Sequence, residues 1–444
     1  MRNRILSRLR TILSETFGLG PTGAWSAIIL VAVVLAAAIY WVIRSAPPDT
    51  IVLTAGPKGS MFQLNAEKYR KVLERSGVKM KILESDGSRE NLARLRDPKF
   101  HVDVGFVQGG LADDGPNDNL ASLGSMFYEP LLVFYRAPEP LDLLSSLKGK
   151  RIAIGDADSG THALAMVLLK ANGMDADRQT VLLDLEGQEA ATALLQGKID
   201  AAFLMGDSAG PAVMRDLLHQ PGVRLLNFSQ ADAYTRRFVY LNKLELPKGA
   251  IDFGKGLPRR DLFLIGPMVE LVAREDLHPA LSDLLLEAAR EVHGRATLLQ
   301  RAGEFPAPLE HEFRISEDAS RYYKSGKGFL YRNLPFWIAS LVNRLLVALV
   351  PVIVILIPGL RIIPWLYQWR VKLRIYRWYR ALLAAEREML APLNERKRQD
   401  LLRRLDEMDA AVHAMKVPAS FADQFYVLRL NIGFVRSRCA KAKV

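Results

Sequence analysis

The chain has 444 residues, half of them hydrophobic, and a formal net charge of +12 at pH 7. This length exceeds what one hydrophobic core organises, so two or more domains are expected. Lysine and arginine outnumber acidic residues by five to one in residues 1–44 and by 18 to 8 in residues 361–444, whereas residues 45–360 hold 37 against 39. A nearly neutral middle argues against a nucleic-acid partner, because such a surface is basic. The single cysteine, Cys439, excludes an internal disulfide and a cysteine-based metal site.

The N-terminal part of the chain has the pattern of a membrane anchor. Residues 1–23 are basic, and residues 24–43 form an uncharged stretch with aromatic side chains near both edges. A helix of this length spans a bilayer core, and the preceding arginines place residues 1–23 in the cytoplasm. The alternative is a cleavable signal peptide, since residues 36–38 are three alanines that suit a cleavage site.

Between residues 50 and 333, strand and helix patterns alternate, which is typical of an α/β fold. The economical topology has two lobes with a cleft between them: residues 50–137 and 236–333 form lobe 1, and residues 138–235 form lobe 2. Polar loops follow the early strands at their carboxyl ends, where open α/β sheets place ligands. Strands are predicted at 51–55, 78–83, 102–107, 131–135, 152–154, 181–183, 200–204, 238–241 and 262–272.

The loop over residues 155–162 is the most informative of these. It joins a predicted strand to a helix that begins near Thr161, and Ser159 or Thr161 can cap that helix. The free amides at a helix start hold a carboxylate or phosphate without any basic side chain. The alternative is an ordinary turn between a strand and a helix.

Residues 336–360 form the second predicted membrane helix. Pro351 and Pro358 would kink it, and Arg344 would reach toward the outer interface. The basic residues that follow mark a cytoplasmic flank, so we expect a two-pass protein of the inner (cytoplasmic) membrane with both termini inside. A buried or re-entrant hairpin is the alternative. Residues 361–444 are predicted to be a basic, helical cytoplasmic tail that lies on anionic lipid or forms a solvated hairpin.

The order of these loops resembles that of the TAXI family, the solute receptors of TRAP (tripartite ATP-independent periplasmic) transporters. A Gly-x-x-x-Ser-Gly-Thr sequence ends one of the matching segments, and residues 334–337 and 369–370 resemble a membrane-anchored subgroup. The resemblance covers roughly residues 50–330 and is carried by segments 88–91, 103–108, 127–130, 147–161, 197–203 and 321–323.

The resemblance implies a type II periplasmic-binding-protein-like fold that closes on a small solute, either an organic anion or an amino-acid-like molecule. It also implies a TRAP membrane subunit as a partner. A tethered sensor that reports solute to the cytoplasm is the alternative. By the resemblance, the ligand-binding residues are Gly59, Ser60, Ser88, Asn91, Gln108, Tyr128, Ser159, Gly160 and Thr161.

A serine esterase is the remaining alternative. The sequence Gly206-Asp207-Ser208-Ala209-Gly210 matches a nucleophile elbow between a strand and a helix. A triad would also need a histidine and an acid, for which His278, His293, Asp252 and Asp261 are candidates. We expect no enzymatic activity. No metal or cofactor is expected either, because no Walker loop or group of ligands at metal spacing stands out.

Overall fold

A computed structural model describes residues 21–112, 115–174, 179–310, 312–390, 394–415 and 421–441. The chain divides into two compact units. One is Ala46–Val342, and the other combines Met1–Ser45 with Asn343–Val444. Of the predicted cytoplasmic segment 1–23, residues 1–20 lie outside the described part of the chain.

The first sheet of the unit Ala46–Val342 contains both the earliest strands and the latest. Its order is β10-β11-β3-β1-β2, and β4 also pairs with β11. β1 runs parallel to β2 and β3, whereas β11 runs antiparallel to β3, β4 and β10. The strands are β1 (Thr50–Thr54), β2 (Lys79–Leu83), β3 (Val104–Gln108), β4 (Leu120–Tyr128), β10 (Leu241–Leu246) and β11 (Leu262–Arg274).

The second sheet has the order β7-β6-β8-β5-β9. Its strands are β5 (Leu132–Tyr135), β6 (Arg151–Ala153), β7 (Val181–Leu183), β8 (Ala201–Leu204) and β9 (Arg224–Leu225). The fold is therefore a mixed α/β fold with two sheets, which agrees with the predicted class at that level.

Two predicted boundaries differ from the structure. The prediction assigned residues 132–135 to lobe 1, but β5 pairs with β8 and β9 in the second sheet. The chain crosses directly after β4, where Glu129 N donates to Pro267 O at 2.9 Å and Leu131 N donates to Ile265 O at 2.9 Å. The strand predicted at 238–241 begins instead at Leu241, because a turn closes there with Leu241 N bonded to Phe238 O.

Helices cover the two sheets and begin at well-formed caps. Ser60 caps α2 by accepting from Gln63 N, and Ser159 caps α4 by accepting from His162 N. Side chains of β11 pack in the cores of both lobes, with Ile265 in the second and Leu271 in the first. The helices of this unit are α2 (Met61–Arg75), α3 (Ser88–Arg96), α4 (Gly160–Ala171), α5 (Gly187–Leu195), α6 (Pro211–His219), α7 (Ala231–Arg237), α8 (Pro279–His293), α9 (Glu317–Ser325) and α10 (Phe329–Asn333).

Two long helices carry the apolar segments. α1 is Pro21–Arg44, and α11 is Phe336–Met389, which continues through the prolines at 351 and 358. In the described residues one segment, Phe336–Val354, is long and apolar enough to cross a membrane, with a mean hydropathy of 2.1. Arg344 Nη1 donates to Val42 O at 2.6 Å, which joins α11 to the C-terminal end of α1.

The C-terminal region is helical, as predicted. The end of α11 packs with α12 (Glu395–His413) and α13 (Ala422–Lys441) around a core of their own. Leu405, Leu428 and Ile432 are fully buried in this core, together with Cys439. Periodic leucines on charged helices explain the arrangement, since each helix turns one apolar stripe toward the others.

Candidate functional site

The loops singled out in the sequence meet between the two lobes, around the side chain of Asp207. This residue follows β8 in the second lobe and is fully buried. Its Oδ2 accepts from Gly160 N at 2.5 Å and from Thr161 N at 3.3 Å, and its Oδ1 accepts from Thr161 Oγ1 at 2.7 Å. Burial raises the pKa of Asp207, and the Thr161 hydroxyl and the amides of Gly160, Thr161 and Ser88 oppose that rise. The start of α4 therefore binds this carboxylate, and the start of α3 in the first lobe lies close to it.

Glycines allow the backbones to approach Asp207 this closely. A Cβ on Gly87, whose φ is +132°, would lie 2.6 Å from Asp207 Oδ2. A Cβ on Gly56 would lie 2.5 Å from Asp207 O. Contacts below 3.0 Å of this kind are not tolerated, so neither position accepts a side chain without a shift of the loop.

Several of the predicted site residues bond to one another around Asp207. Ser88 Oγ accepts from Gln108 N at 3.2 Å, and Gln108 Nε2 donates to Gly160 O of the other lobe at 2.9 Å. Gln108 Oε1 is buried and has no hydrogen-bond partner in the described part of the chain. Ser159 caps α4, as the sequence predicted, and its hydroxyl also donates to Asp156 O at 2.7 Å. The ligand roles of these residues stay predictions.

Asn91, by contrast, forms hydrogen bonds within the first lobe through every donor and acceptor of its side chain. Its Nδ2 donates to Ala55 O at 2.5 Å and to Phe106 O at 2.9 Å. Its Oδ1 accepts from Thr54 Oγ1 at 2.6 Å and from Ser85 Oγ at 2.7 Å. An amide has two donors and two acceptor lone pairs, so these four bonds leave none for a solute.

The first predicted loop lies beside the same crossing. Ser60 is buried as the cap of α2, and Gly59 lies at an exposed turn with a φ of +85°. The next residue, Met61, donates its backbone amide to Gly206 O of the second lobe at 2.9 Å. This loop therefore contacts both lobes. The side of the loop at Met61 borders the cavity described next.

The cavity has a volume of about 370 Å³ and lies between the lobes. Helix α2 and residues Phe127 and His293 contribute one side, and Gly206 and Met214 of the second lobe contribute another. The lining is mainly apolar, and Tyr128, which was predicted from the sequence, belongs to it. Tyr128 donates its hydroxyl to Glu304 Oε1 at 2.9 Å and thereby presents its ring. A larger depression of about 510 Å³ is lined by residues of the second lobe alone, so it does not join the lobes.

Three ionisable groups face this apolar lining. Neither carboxyl oxygen of Glu129 has a hydrogen-bond partner in the described residues, and the side chain is 1% exposed. Burial raises the pKa of Glu129 well above its usual value, and the nearby Asp207 carboxylate raises it further. His293 stacks on Phe127, and burial together with the Lys68 charge lowers the pKa of His293 to about 3. Near pH 7 the imidazole is therefore neutral, and Lys68 supplies positive charge.

More acids surround Asp207 on the side of the loop over residues 155–162. Burial raises the pKa of Glu186 to about 8, with Asp207 and Asp156 adding to the shift. The carboxylates of Asp86, Asp156 and Asp158 offer oxygens that lie within 4.8 Å of one another. Such oxygens suit a hard cation, although exposed acids of this kind commonly occur without one. A free solute anion would meet repulsion here.

The nucleophile elbow has different partners from those of an esterase. Ser208 Oγ lies 3.0 Å from Thr161 Oγ1. His278 caps α8 by accepting from Ala280 N at 3.1 Å, and His293 is buried against aromatic rings in the first lobe. In the residues that the structure describes, the Ser208 hydroxyl contacts Thr161 and not a histidine that would take its proton, so the geometry gives no support to a triad.

Sequence reasoning missed the residues that now matter most. Asp207 was considered only as the variable residue of the Gly-x-Ser-x-Gly motif, and Glu129 only as part of a matching segment. Both follow strands at the edge where the loops meet, and that placement was the available signal. The sequence offers His293 only as a candidate triad histidine, whereas the structure places it against Phe127 in the cavity lining.

A cavity shared by two α/β lobes, with loops of both lobes meeting beside it, defines a two-lobed ligand-binding architecture. The chain belongs to the NMT1-like family, whose model matches residues 53–281.

Solved structures with a similar fold include the periplasmic aliphatic sulphonate binding protein SsuA from Escherichia coli, at 18% identity and a TM-score of 0.35 over 56% of this chain and 73% of that one. Lipoprotein Tp32 from Treponema pallidum matches at 18% identity with a TM-score of 0.32, over 54% of this chain and 90% of that one. An ancestral arginine-binding protein bound to arginine matches at 14% identity with a TM-score of 0.36, over 57% and 96%.

Proposed function

We propose that this protein is a membrane-anchored, extracytoplasmic solute receptor that binds a small molecule between its two lobes and performs no chemistry on it. The observation that carries the proposal is the cavity of about 370 Å³, to which both lobes contribute. A solute that contacts both lobes favours their closed arrangement, which is how a two-lobed receptor couples binding to a change of shape. The volume lies within the range of small-molecule sites.

The ionisable groups indicate what the solute carries. Lys68, whose ammonium also donates to Asn65 Oδ1 at 3.2 Å, is the cationic group in the lining and suits a carboxylate. The carboxyl oxygens of Glu129 have no hydrogen-bond partner among the described residues and suit an ammonium group, because burying a carboxyl without a bond is unfavourable. Met61, Met214 and Leu298 add apolar side chains to the same lining. An amino-acid-like solute with an apolar side chain combines these features.

Two helices support the membrane anchor. α1 has 24 residues, so at 1.5 Å per residue it is longer than the roughly 30 Å of a bilayer core. Phe336–Val354 in α11 is the second apolar segment, and the Arg344–Val42 hydrogen bond joins the two helices. The basic excess after residue 360 favours a cytoplasmic tail by the positive-inside rule. We therefore propose two crossings of the inner membrane with residues 46–335 outside.

Service to a transporter of the TRAP type remains our first proposal for the partner, on the resemblance to the TAXI family. The second candidate is a sensor, and the packed core of α11, α12 and α13 favours it, because this region has its own folded structure. Hydrogen exchange of α12 and α13 in the full chain distinguishes the two. A change on addition of solute favours the sensor, and an unchanged profile favours the transporter receptor.

The receptor proposal is tested by calorimetric titration of the full chain in nanodiscs with L-leucine, which has a carboxylate, an ammonium group and an apolar side chain. Met214→Trp fills the cavity and is expected to abolish binding. Met166→Trp is the matched control, because Met166 is 39% exposed on α4, outside the cavity lining. Equal binding by both variants would contradict the proposed site. Native mass spectrometry of the purified full chain, searching for a retained small molecule, tests receptor function independently of the probe.

A further inference from the structure

The carboxylate of Asp207 lies where a solute's carboxylate was predicted to bind. The sequence predicted that the amides at the start of α4 would be free for an anion. They are bound instead by Asp207 Oδ2, at 2.5 Å from Gly160 N and 3.3 Å from Thr161 N. Thr161 Oγ1 donates to the other oxygen, Oδ1, at 2.7 Å and completes the set of donors.

We propose that Asp207 is a built-in anion, which fills the carboxylate position between the lobes and prevents a solute from using it. Asp207 is in this sense a residue that determines specificity. The inference rests on the proposed function, because it names which part of the interlobe region the solute does not occupy.

The surroundings of Asp207 have the properties of a built anion site. The start of α4 points two backbone N–H groups at the Asp207 carboxylate, which the helix dipole also stabilises, and Gly87 at the start of α3 in the first lobe lies against the same oxygen. Gln108 Nε2 donates to Gly160 O at 2.9 Å and so fixes the start of α4 against the first lobe. Gly56 and Gly87 leave room for the carboxylate and its backbone, and a Cβ on either residue would overlap Asp207.

The charges nearby explain why the chain supplies this anion itself. Glu129 and Glu186 each face Asp207, so a diffusible carboxylate would enter a region that already holds acids. A tethered side chain loses little translational freedom when it binds, whereas a free solute loses much more. The lobes are joined without a solute by the bonds from Gln108 Nε2 to Gly160 O and from Met61 N to Gly206 O, both at 2.9 Å. An acidic solute is left with Lys68 as its cationic partner.

Chemical rescue tests this directly. Asp207→Ala removes the carboxylate and leaves a methyl group, so formate is the missing fragment. Thermal unfolding of the full chain in nanodiscs is expected to show a lowered Tm for this variant. Formate should raise that Tm by several degrees in a saturable manner, with half-saturation at about 1 to 10 mM, as suits a ligand of three heavy atoms. Formamide, which has nearly the same shape and no charge, should leave the Tm unchanged.

Two further variants make the outcome decisive. Asp200→Ala removes an acid of the same lobe that pairs with Arg151 at the surface, so its Tm should not respond to formate. Asp207→Asn keeps the size and loses the charge, and it should have a lower Tm than the wild type without any rescue by formate, since the amide fills the space.

Absence of rescue in Asp207→Ala, an equal response in Asp200→Ala, or a wild-type Tm for Asp207→Asn would each overturn the proposal. If Asp207→Ala folds only when formate is present during purification, that result supports it, and if it folds in neither case, Asp207→Asn decides. None of these measurements uses a solute, so their failure leaves the L-leucine titration standing as a separate test of receptor function.

Discussion

Asn91→Ala should destabilise the first lobe strongly, because Asn91 is a fully bonded core residue. The substitution leaves Ala55 O and Phe106 O without their donor. It also leaves the Thr54 and Ser85 hydroxyls without their acceptor. Each buried group left without its partner costs about 1 to 3 kcal/mol. Since the four bonds share one side chain and the losses are not additive, we expect a total of about 3 to 6 kcal/mol.

The assay is hydrogen–deuterium exchange of the β1 and β3 amides in the full chain, because these strands flank Asn91 and report the stability of their own lobe. Asn333→Ala is the control. Asn333 is exposed and makes one bond within its own helix, so its removal should change the stability by less than about 0.5 kcal/mol. If Asn91→Ala lost less than about 1 kcal/mol, the conclusion that its side chain is committed to the core would be refuted.

Three further predictions follow from burial and charge. Because the pKa of Glu186 is raised from 4.5 to about 8 by burial, the folded state holds this proton more tightly than the unfolded state, and stability should fall as pH rises between those values. Glu186→Gln should therefore gain stability relative to the wild type across that window, by at most about 1.4 kcal/mol per pH unit in urea titrations, and a flat difference would contradict this. Gly87→Ala, with its Cβ against Asp207, should lower the Tm and cost about 2 kcal/mol or more, measured by thermal unfolding. Leu405→Ala should cost about 2 to 5 kcal/mol in the C-terminal helices, whereas Leu430→Ala, at a residue 72% exposed, should cost less than about 0.5 kcal/mol by hydrogen exchange there.

The sequence predicted most of the elements, because their local patterns agree with their environment. The run Val104–Gln108 is continuously apolar apart from its last residue, which is typical of a strand covered on both faces, and all five residues are buried. Ser159 lies directly before a helical pattern, and it caps that helix. The boundary between the lobes was less predictable. Which sheet β5 joins depends on pairing with β8 and β9, about 70 and 90 residues later, and no local pattern encodes such a choice.

The same limit applies to the site. The sequence predicted that Ser88, Gln108 and Thr161 lie near the ends of strands. It could not show whether the hydrogen-bond donors of these segments face a solute or another side chain. A helix start looks the same in sequence whether its amides are free or bound, because the partner comes from a distant loop. Here the partner, Asp207, lies 46 residues from Thr161. Glycines at 56 and 87 were weak signals of a close approach, but glycine also suits any turn.

Because of the position of Asp207, closure of the two lobes does not require a carboxylate from the solute. In a two-lobed receptor that binds a solute carboxylate through its loops, the hydrogen-bond donors of both lobes have no acceptor until the solute binds. Closure of the lobes then depends on the solute. In the receptor that we propose, the amides at the start of α4 already have an acceptor, so a solute would contribute mainly through the apolar cavity and the groups of Glu129 and Lys68. Binding energy then comes from burial of apolar surface and from pairing Glu129, which has no partner in the described part of the chain. The discriminating comparison is L-leucine against 4-methylpentanoate, which lacks the ammonium group. If Glu129 selects a cation, Glu129→Gln should weaken L-leucine and leave the acid unchanged, and equal effects on both would refute that role.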